Sequence, residues 1–558
     1  MFKKAVDCFK NGEKASGSIA GAALLVAGFG LASRFFGLIR DRILASKFGA
    51  GDELDIYYAA FKIPDLIFNL LILGALSAAF IPVFTSLISR EKKEEAWSLA
   101  NKIISIAMVV LAVVAVVLFI LAPQLVSLIA FGFEPEKREM VTALTRIMLI
   151  SPFLLGLSGI MGGILNSFNK FLFYSIAPVF YNAGIIIGAL FFTESLGLAG
   201  LAWGVVLGAL LHLSVQVPEA VRCGLRFKFN FDWKDPNLIK VVKLMIPRTM
   251  GLAVTQVNFL IVTVLASTLT AGSLAIFNLA NNIQGVPLGM FGIAFAVAAF
   301  PTLSGAWARE NKREFVENFA GTFRKIMFLV IPASIVFIIL RAQIVRIVLG
   351  AGRFDWEDTI LTFQALGIFS LSLFAQSAIP LLCRSFYALH NTKVPFFTGL
   401  FSEAVNLSLA LLLIGRFGIL GLVSAFSAAS VINMFLLLII LRKKTGGLNE
   451  GEIMRNVWKV MVATLFMAGG IQGFKYLSAV ILNKVNWEIL GYAINMETFA
   501  GVFLQAGVSL LVGGILFIVV SKWLKIEELD YFMRAFKNKV FPPKNLNGYD
   551  RDQIGGIK

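Results

Sequence analysis

Apolar runs of about twenty residues, broken by short charged or Gly/Pro-rich stretches, recur from residue 17 to residue 521. They lack the period-two alternation of barrel strands. A chain crossing lipid must also close its backbone hydrogen bonds within the segment, so the pattern predicts helices. The approximate spans are 17–46, 53–88, 101–131, 138–166, 171–193, 198–222, 238–269, 273–302, 318–349, 357–388, 394–415, 419–441, 453–482 and 497–521. The expected fold class is an all-α polytopic membrane protein with about 14 transmembrane helices. Lys3, Lys4, Lys10 and Lys14 imitate the start of a secretory signal, but the run that follows leads into further spans and reads as an uncleaved first helix.

Composition agrees with the pattern. Of 558 residues 58% are hydrophobic and only 15% charged, too few to coat a soluble globule, and the mean hydropathy is +0.82. The net charge is +17, and positive charge sits in alternate loops, the positive-inside arrangement, so no nucleic-acid partner is expected. The basic side holds the N-terminus, "SREKKEE", Lys170, the stretch from Arg222 to Lys243, "ARENKRE", Arg384 with Lys393, "LRKKTGG" and the tail; both termini are expected to be cytoplasmic. Cys8, Cys223 and Cys383 form no CxxC, and His212 and His390 have no partner at metal spacing, so packing or surface roles are expected for both histidines. No GxxxxGK[ST] occurs, which excludes direct drive by ATP through that motif.

The chain also repeats itself. "LASKFGAG" (44–51) and "LASTLTAG" (265–272) are 221 positions apart; nearly the same shift aligns "AAFIPVFTSL" with "AAFPTLSGAW", "SFNK" with "HNTK" and "GLAGL" with "GILGL". A period this long marks homologous lobes, and an even number of helices per repeat gives them the same orientation. The expected organisation is a cytoplasmic segment 1–16, an N-lobe 17–232 (helices 1–6), a C-lobe 233–444 (helices 7–12), helices 13–14 in 445–525 and a basic cytoplasmic tail 526–558. Two parallel-repeat six-helix lobes around a central cavity form a transporter plan. Pro64 and Pro287, beside polar positions, are hinge candidates.

Charge is unequal between the lobes. Arg34, Arg40, Asp41, Asp55 and Lys62 fall in the first two helices, while Ile261, Val262, Ile276 and Ile283 stand at the repeat positions of the last four. Two readings of Arg40 and its neighbours stand open: charges flanking a helix that has already spanned, or a charged face lining a water-filled pathway. The second lobe offers Arg248, and Glu403 with Asn406 one turn on; a buried Glu there would carry a coupling cation, Na+ or H+, or cap a helix contact.

"ASRFFGLIRDRILASKFGAGDELDIYYAAFKIPDL", "GALSAAFIPVF", "GVPLGMFGIAFAVAAFPTLS" and "SFYALHNTKVP" closely resemble the MurJ (MviN) family of bacterial lipid II flippases, within the multidrug/oligosaccharidyl-lipid/polysaccharide exporter superfamily. The resemblance covers about residues 17 to 522, with 33–64 its most specific part. It implies fourteen helices, a cationic cavity and a lipid groove at the last two helices, in the bacterial cytoplasmic membrane. It further implies alternating-access transport of the undecaprenyl-diphosphate-linked peptidoglycan precursor from the cytoplasmic to the outer leaflet. No enzymatic step and no cofactor are implied; membrane potential, Na+ or H+ are the candidate energy sources. Partners would be lipid II, membrane lipids and the cell-wall synthesis machinery, with a monomer expected. The family's cavity charges fall on Arg34, Arg40, Asp41, Asp55 and Lys62. Departures are Phe68, Asn69 and Leu73, where many relatives place an Arg pair and a Glu, and Asn281 and Asn282, where they place an Asp-Arg pair; Arg248 is the candidate replacement for one of the missing cations. The alternatives are a same-fold exporter of another lipid-linked sugar or a drug, and a non-transporting cell-wall scaffold.

Overall fold

The computed structural model describes residues 19–70, 77–484 and 498–540, which are helical throughout apart from short connections. The N-terminal segment 1–16 and residues 541–558 of the tail lie outside the described residues. In chain order the first half comprises α1 (Ile19–Phe48), α2 (Asp52–Ile67), α3 (Ser77–Ser89), α4 (Lys93–Ile129), α5 (Pro135–Met148), α6 (Ile150–Ser167), α7 (Phe171–Ile187), α8 (Thr193–Leu196), α9 (Ala199–Arg222) and α10 (Pro236–Ser267). The second comprises α11 (Ser273–Pro287), α12 (Ala294–Ala308), α13 (Lys312–Ile339), α14 (Arg341–Val348), α15 (Trp356–Leu371), α16 (Leu373–Ala388), α17 (Lys393–Thr445), α18 (Glu450–Lys484), α19 (Phe499–Trp523) and α20 (Glu527–Val540).

Every expected span falls on helix among the described residues. Among the described residues nine helices are long and apolar enough to cross a membrane, or ten if α15 and α16, bent by 48° at Ser372, are one span. The 53-residue α17 turns at Gly418 (φ 53°, ψ −130°), a conformation open essentially only to glycine, and so serves two expected spans. The spans expected at 17–46, 53–88 and 238–269 are helical but carry charge within the apolar run or are only partly described. Among the described residues three π-helical turns interrupt spans: residues 68–70, Gly188–Phe192 and Leu288–Ile293. The first and third follow Pro64 and Pro287 and lie one repeat apart, and wide turns of this kind occur often at functional sites.

The chain groups into two compact units, residues 1–275 with 352–354, and 276–351 with 355–558. Each has its own aromatic core. In the first, Phe80, Phe84, Leu99, Ile160, Met161 and Leu165 interlock; in the second, Phe319, Phe323, Leu381, Leu382 and Phe386 do so. Ile160, Met161 and Leu165 stand 221 positions before Leu381, Leu382 and Phe386. The backbone repeats as well: positive φ occurs at Asn169 (58°) and His390 (54°), and at Gly197 (55°) and Gly418 (53°), again 221 apart. The duplication is thus written in core packing and turn geometry, and His390 is a left-handed turn residue.

Candidate intramembrane charge site

Arg40 lies in α1 six residues past Arg34, about 9 Å further along the axis. Its guanidinium folds back on its sequence neighbour: Nε and Nη2 both donate to Asp41 Oδ1, at 3.0 and 2.8 Å. Nη1 donates to Asn182 Oδ1 of α7 at 3.1 Å. The Asn182 amide in turn donates to Pro178 O at 3.0 Å and reaches Ser33 O at 3.4 Å, tying α7 to α1. Asp41 is 2% exposed and Arg40 20%, so the pair is packed inside the first unit rather than left at a frayed helix end. A half-buried pair is held where neither partner can drift into water, and removing one would strand the other's charge.

α2 supplies the other wall. Tyr57 and Tyr58, buried and edge-on to each other at 5.4 Å, lie close enough to feel the charge of Arg40 and Asp41. The Tyr58 hydroxyl is buried and makes no hydrogen bond among the described residues. One turn on, Lys62 stands over the Phe259 ring of α10 at 5.6 Å, and Asp65 lies within electrostatic reach of Lys62 and Arg40. The result is a mixed cluster of cations, carboxylates, an amide and phenols where a membrane span is otherwise apolar, which makes it the candidate for a polar pathway. Arg34 is half-buried on the same helix as Arg40.

Asp55 has different company. It is 1% exposed and accepts backbone N–H bonds from Gly272 and Ala275, both at 2.8 Å, at the start of α11. Lys137 of α5 completes its shell at 3.5 Å while also pairing with Asp52. Nearby, Arg353 pairs with Glu53 at 3.2 Å, and its backbone N–H donates to Ser46 O. Asp55 therefore caps orphan amides at a helix start, where a negative charge also meets the helix dipole. The side chain of Arg248 lies outside the described residues. In the second unit Asn406 is buried and Glu403 half-buried on α17, beside a Ser402 Oγ bond to Ala429 O that joins the two limbs of the helix.

Sequence reasoning missed Asn182, Asp65, Tyr57, Tyr58 and Lys137. A lone amide in "VFYNAGIII" was the available signal for Asn182, since an isolated hydrogen-bonding side chain in a span needs a partner. His212 is tied by a 2.7 Å bond to Ser158 and a contact with Gln216, an interhelical packing role as expected, although Gln216 Oε1 itself has no hydrogen-bond partner among the described residues.

The family described as lipid II flippase MurJ has a sequence model that matches residues 44–520. The chain is 27% identical over 510 residues to the probable lipid II flippase MurJ of Buchnera aphidicola subsp. Acyrthosiphon pisum, covering 90% of this chain and 97% of that protein. It is 29% identical over 505 residues to that of Thermotoga maritima, covering 90% and 96%. Its fold is similar to a solved lipid II flippase MurJ in an inward closed conformation, with TM-score 0.73, 23% identity and coverage of 92% and 99%. It is also similar to an inward-facing multidrug resistance MATE family transporter of the MOP superfamily, with TM-score 0.64, 16% identity and coverage of 75% and 96%.

Proposed function

The chain belongs to the lipid II flippase MurJ family, and from that premise we propose that Arg40, assisted by Arg34 and Lys62, grips the diphosphate of lipid II as the protein flips it. The chain is a multi-pass protein of the bacterial inner membrane and moves lipid II between leaflets by alternating access. It acts as a transporter without a catalytic step, with both termini cytoplasmic, as a monomer working beside the cell-wall synthesis machinery. The observation that carries the site reading is the buried Arg40–Asp41–Asn182 cluster.

A diphosphate presents planar oxygen pairs that match a guanidinium fork, and Arg stays charged inside a membrane where Lys readily gives up its proton. In the unloaded protein Asp41 takes up that fork. Loading exchanges one acceptor for another without ever stranding a buried cation, while Asn182 keeps the guanidinium aimed. Tyr58, with its hydroxyl unspent, is placed to donate to the same oxygens. Whichever conformation makes the larger number of these contacts is the one that loading favours. Arg248 remains the proposed replacement for one of the missing cavity cations.

Purified chain in vesicles loaded with labelled lipid II should expose the label to an external degrading enzyme; vesicles without the chain should not. Failure of the intact chain to do so would overturn the reading. Membrane potential, Na+ or H+ is the proposed drive, with Glu403 and Asn406 as the cation ligands. The support is their burial in α17, where an acid without a task is costly. In the same vesicles Glu403→Gln should abolish any stimulation by an imposed Na+ or proton gradient. Unchanged stimulation would remove Glu403 from that role.

A further inference from the structure

Residues 223–235 join α9 to α10 without forming a helix; between turns at 223–224 and 233–234, residues 225–232 run along α4. Three side chains on one face of α4 hold them there. Asn101 Nδ2 donates to Arg226 O at 3.1 Å, and Asn101 Oδ1 accepts from Lys228 N–H at 3.2 Å. Ser105 Oγ accepts from Asn230 N–H at 3.0 Å, and Lys102 pairs with Asp232 at 3.0 Å and Asp235 at 2.6 Å. Alternate residues are thereby fixed against the helix. The intervening ones, Phe227, Phe229, Phe231 and Trp233, stand outward, each between 44% and 64% exposed. Their rings form a ladder: Phe229 and Phe231 are stacked at 6.4 Å, and Trp233 meets Phe231 edge-on at 5.3 Å.

Four exposed aromatics in a row ask for a partner, and the depth of the strap says which. On the same face of α4, Val109, Val116 and Ile120 are exposed, and exposed apolar residues continue to Leu128. From Val109 to Leu128 is about 28 Å of helix, close to the hydrocarbon thickness of a bilayer. Ser105 and Asn101 then lie about 6 and 12 Å outside that band, at headgroup depth, where amphipathic aromatic side chains concentrate. The exposed charges on and beside the strap, Arg226, Lys228, Lys234, Lys240 and Lys243, are all cations, whereas Asp232 and Asp235 are already answered by Lys102.

We infer that the strap 226–234 is an interfacial anchor, its aromatic ladder seated in the headgroup layer and its basic residues on the phosphates of anionic lipid. The geometry differs from an amphipathic helix on a membrane: period-two alternation along an extended chain does the sorting. Since the strap also links the two repeats, it pins their junction to the membrane surface through α4.

The chain has 8 tryptophans, so the emission of Trp233 is isolated as the difference between the intact protein and Trp233→Phe, both at full length in vesicles. In vesicles containing phosphatidylglycerol, that emission should be lost to a nitroxide on the lipid headgroup and retained against aqueous iodide. Replacing phosphatidylglycerol with phosphatidylcholine should raise iodide access, as should Asn101→Leu combined with Ser105→Ala, which unzips the strap but leaves α4 helical. Iodide quenching without nitroxide quenching in the anionic vesicles would overturn the anchor and leave the ladder to a protein partner. Equal behaviour in both lipids would overturn the anionic part.

Discussion

Arg40 and Asp41 are consecutive in a helix, so their Cβ atoms diverge by about 100°, yet their side chains meet because the Arg stem is long enough to wrap back. Residue spacing alone points the two to different faces; only the Asn182 carbonyl oxygen on α7 explains why the guanidinium folds inward. The positions of Arg34, Arg40, Asp41 and Lys62 were readable from the sequence because charge inside an apolar run stands out. Their partners on other helices were not, because one amide or one carboxylate per span carries no periodic signal. Asp55 illustrates the limit: it is as charged as its neighbours, but its partners are two amides some 220 positions away. Asp55→Ala should destabilise the protein by about 2–4 kcal/mol, from two buried N–H groups left unmet, and Asp55→Asn by less, since its remaining oxygen still accepts. Thermal unfolding in detergent checks the order; an Asp55→Ala protein as stable as the original would refute the capping role.

Helices were the legible elements, because lipid allows so few alternatives; of their interruptions, those after Pro64 and Pro287 were signalled by the prolines and the bend at Ser372 was not. The bend at Ser372 and the π turn after Pro287 leave little trace in hydropathy, since both sides of each break stay apolar. Close packing is similarly silent: a Cβ on Gly204 would come within 2.7 Å of Gly188 Cα, so α9 and the π turn after α7 touch backbone to backbone. The strap is the element whose behaviour pH should expose. The Lys102 ammonium, followed by the Lys234 backbone N–H, holds Asp232 below the usual carboxylate range. For Asp235 burial pushes upward, but the Lys102 bond and two backbone N–H groups of α10 outweigh it. Depressed acids stabilise the folded state above their ordinary values, near 4, and lose that contribution as pH falls through the lowered ones. The strap should thus stay on α4 from neutral pH down to about pH 4 and detach below it, read as iodide access to Trp233. Lys102→Met should show that access already at pH 7. Detachment of the unaltered strap between pH 7 and 5 would contradict the pairing.

At the scale of the whole molecule, the 221-residue period announced the duplication before any coordinate did, and the two cores and their left-handed turns repeat it. Within that symmetry the chemistry is lopsided: α1 and α2 carry Arg34, Arg40, Asp41, Lys62 and Asp65, whereas α11 offers the amides Asn281 and Gln284, bonded to each other at 3.0 Å. The proposed grip on the diphosphate accordingly rests on side chains of α1 and α2. The most direct test is outer-leaflet lipid II, measured with an externally added degrading enzyme in cells depleted of their own flippase. Exposure should return with the unaltered chain and fall at least about tenfold with Arg40→Ala, as expected when a charge-assisted pair worth about 1.5–3 kcal/mol is lost. Full exposure with Arg40→Ala at equal membrane abundance would contradict the account.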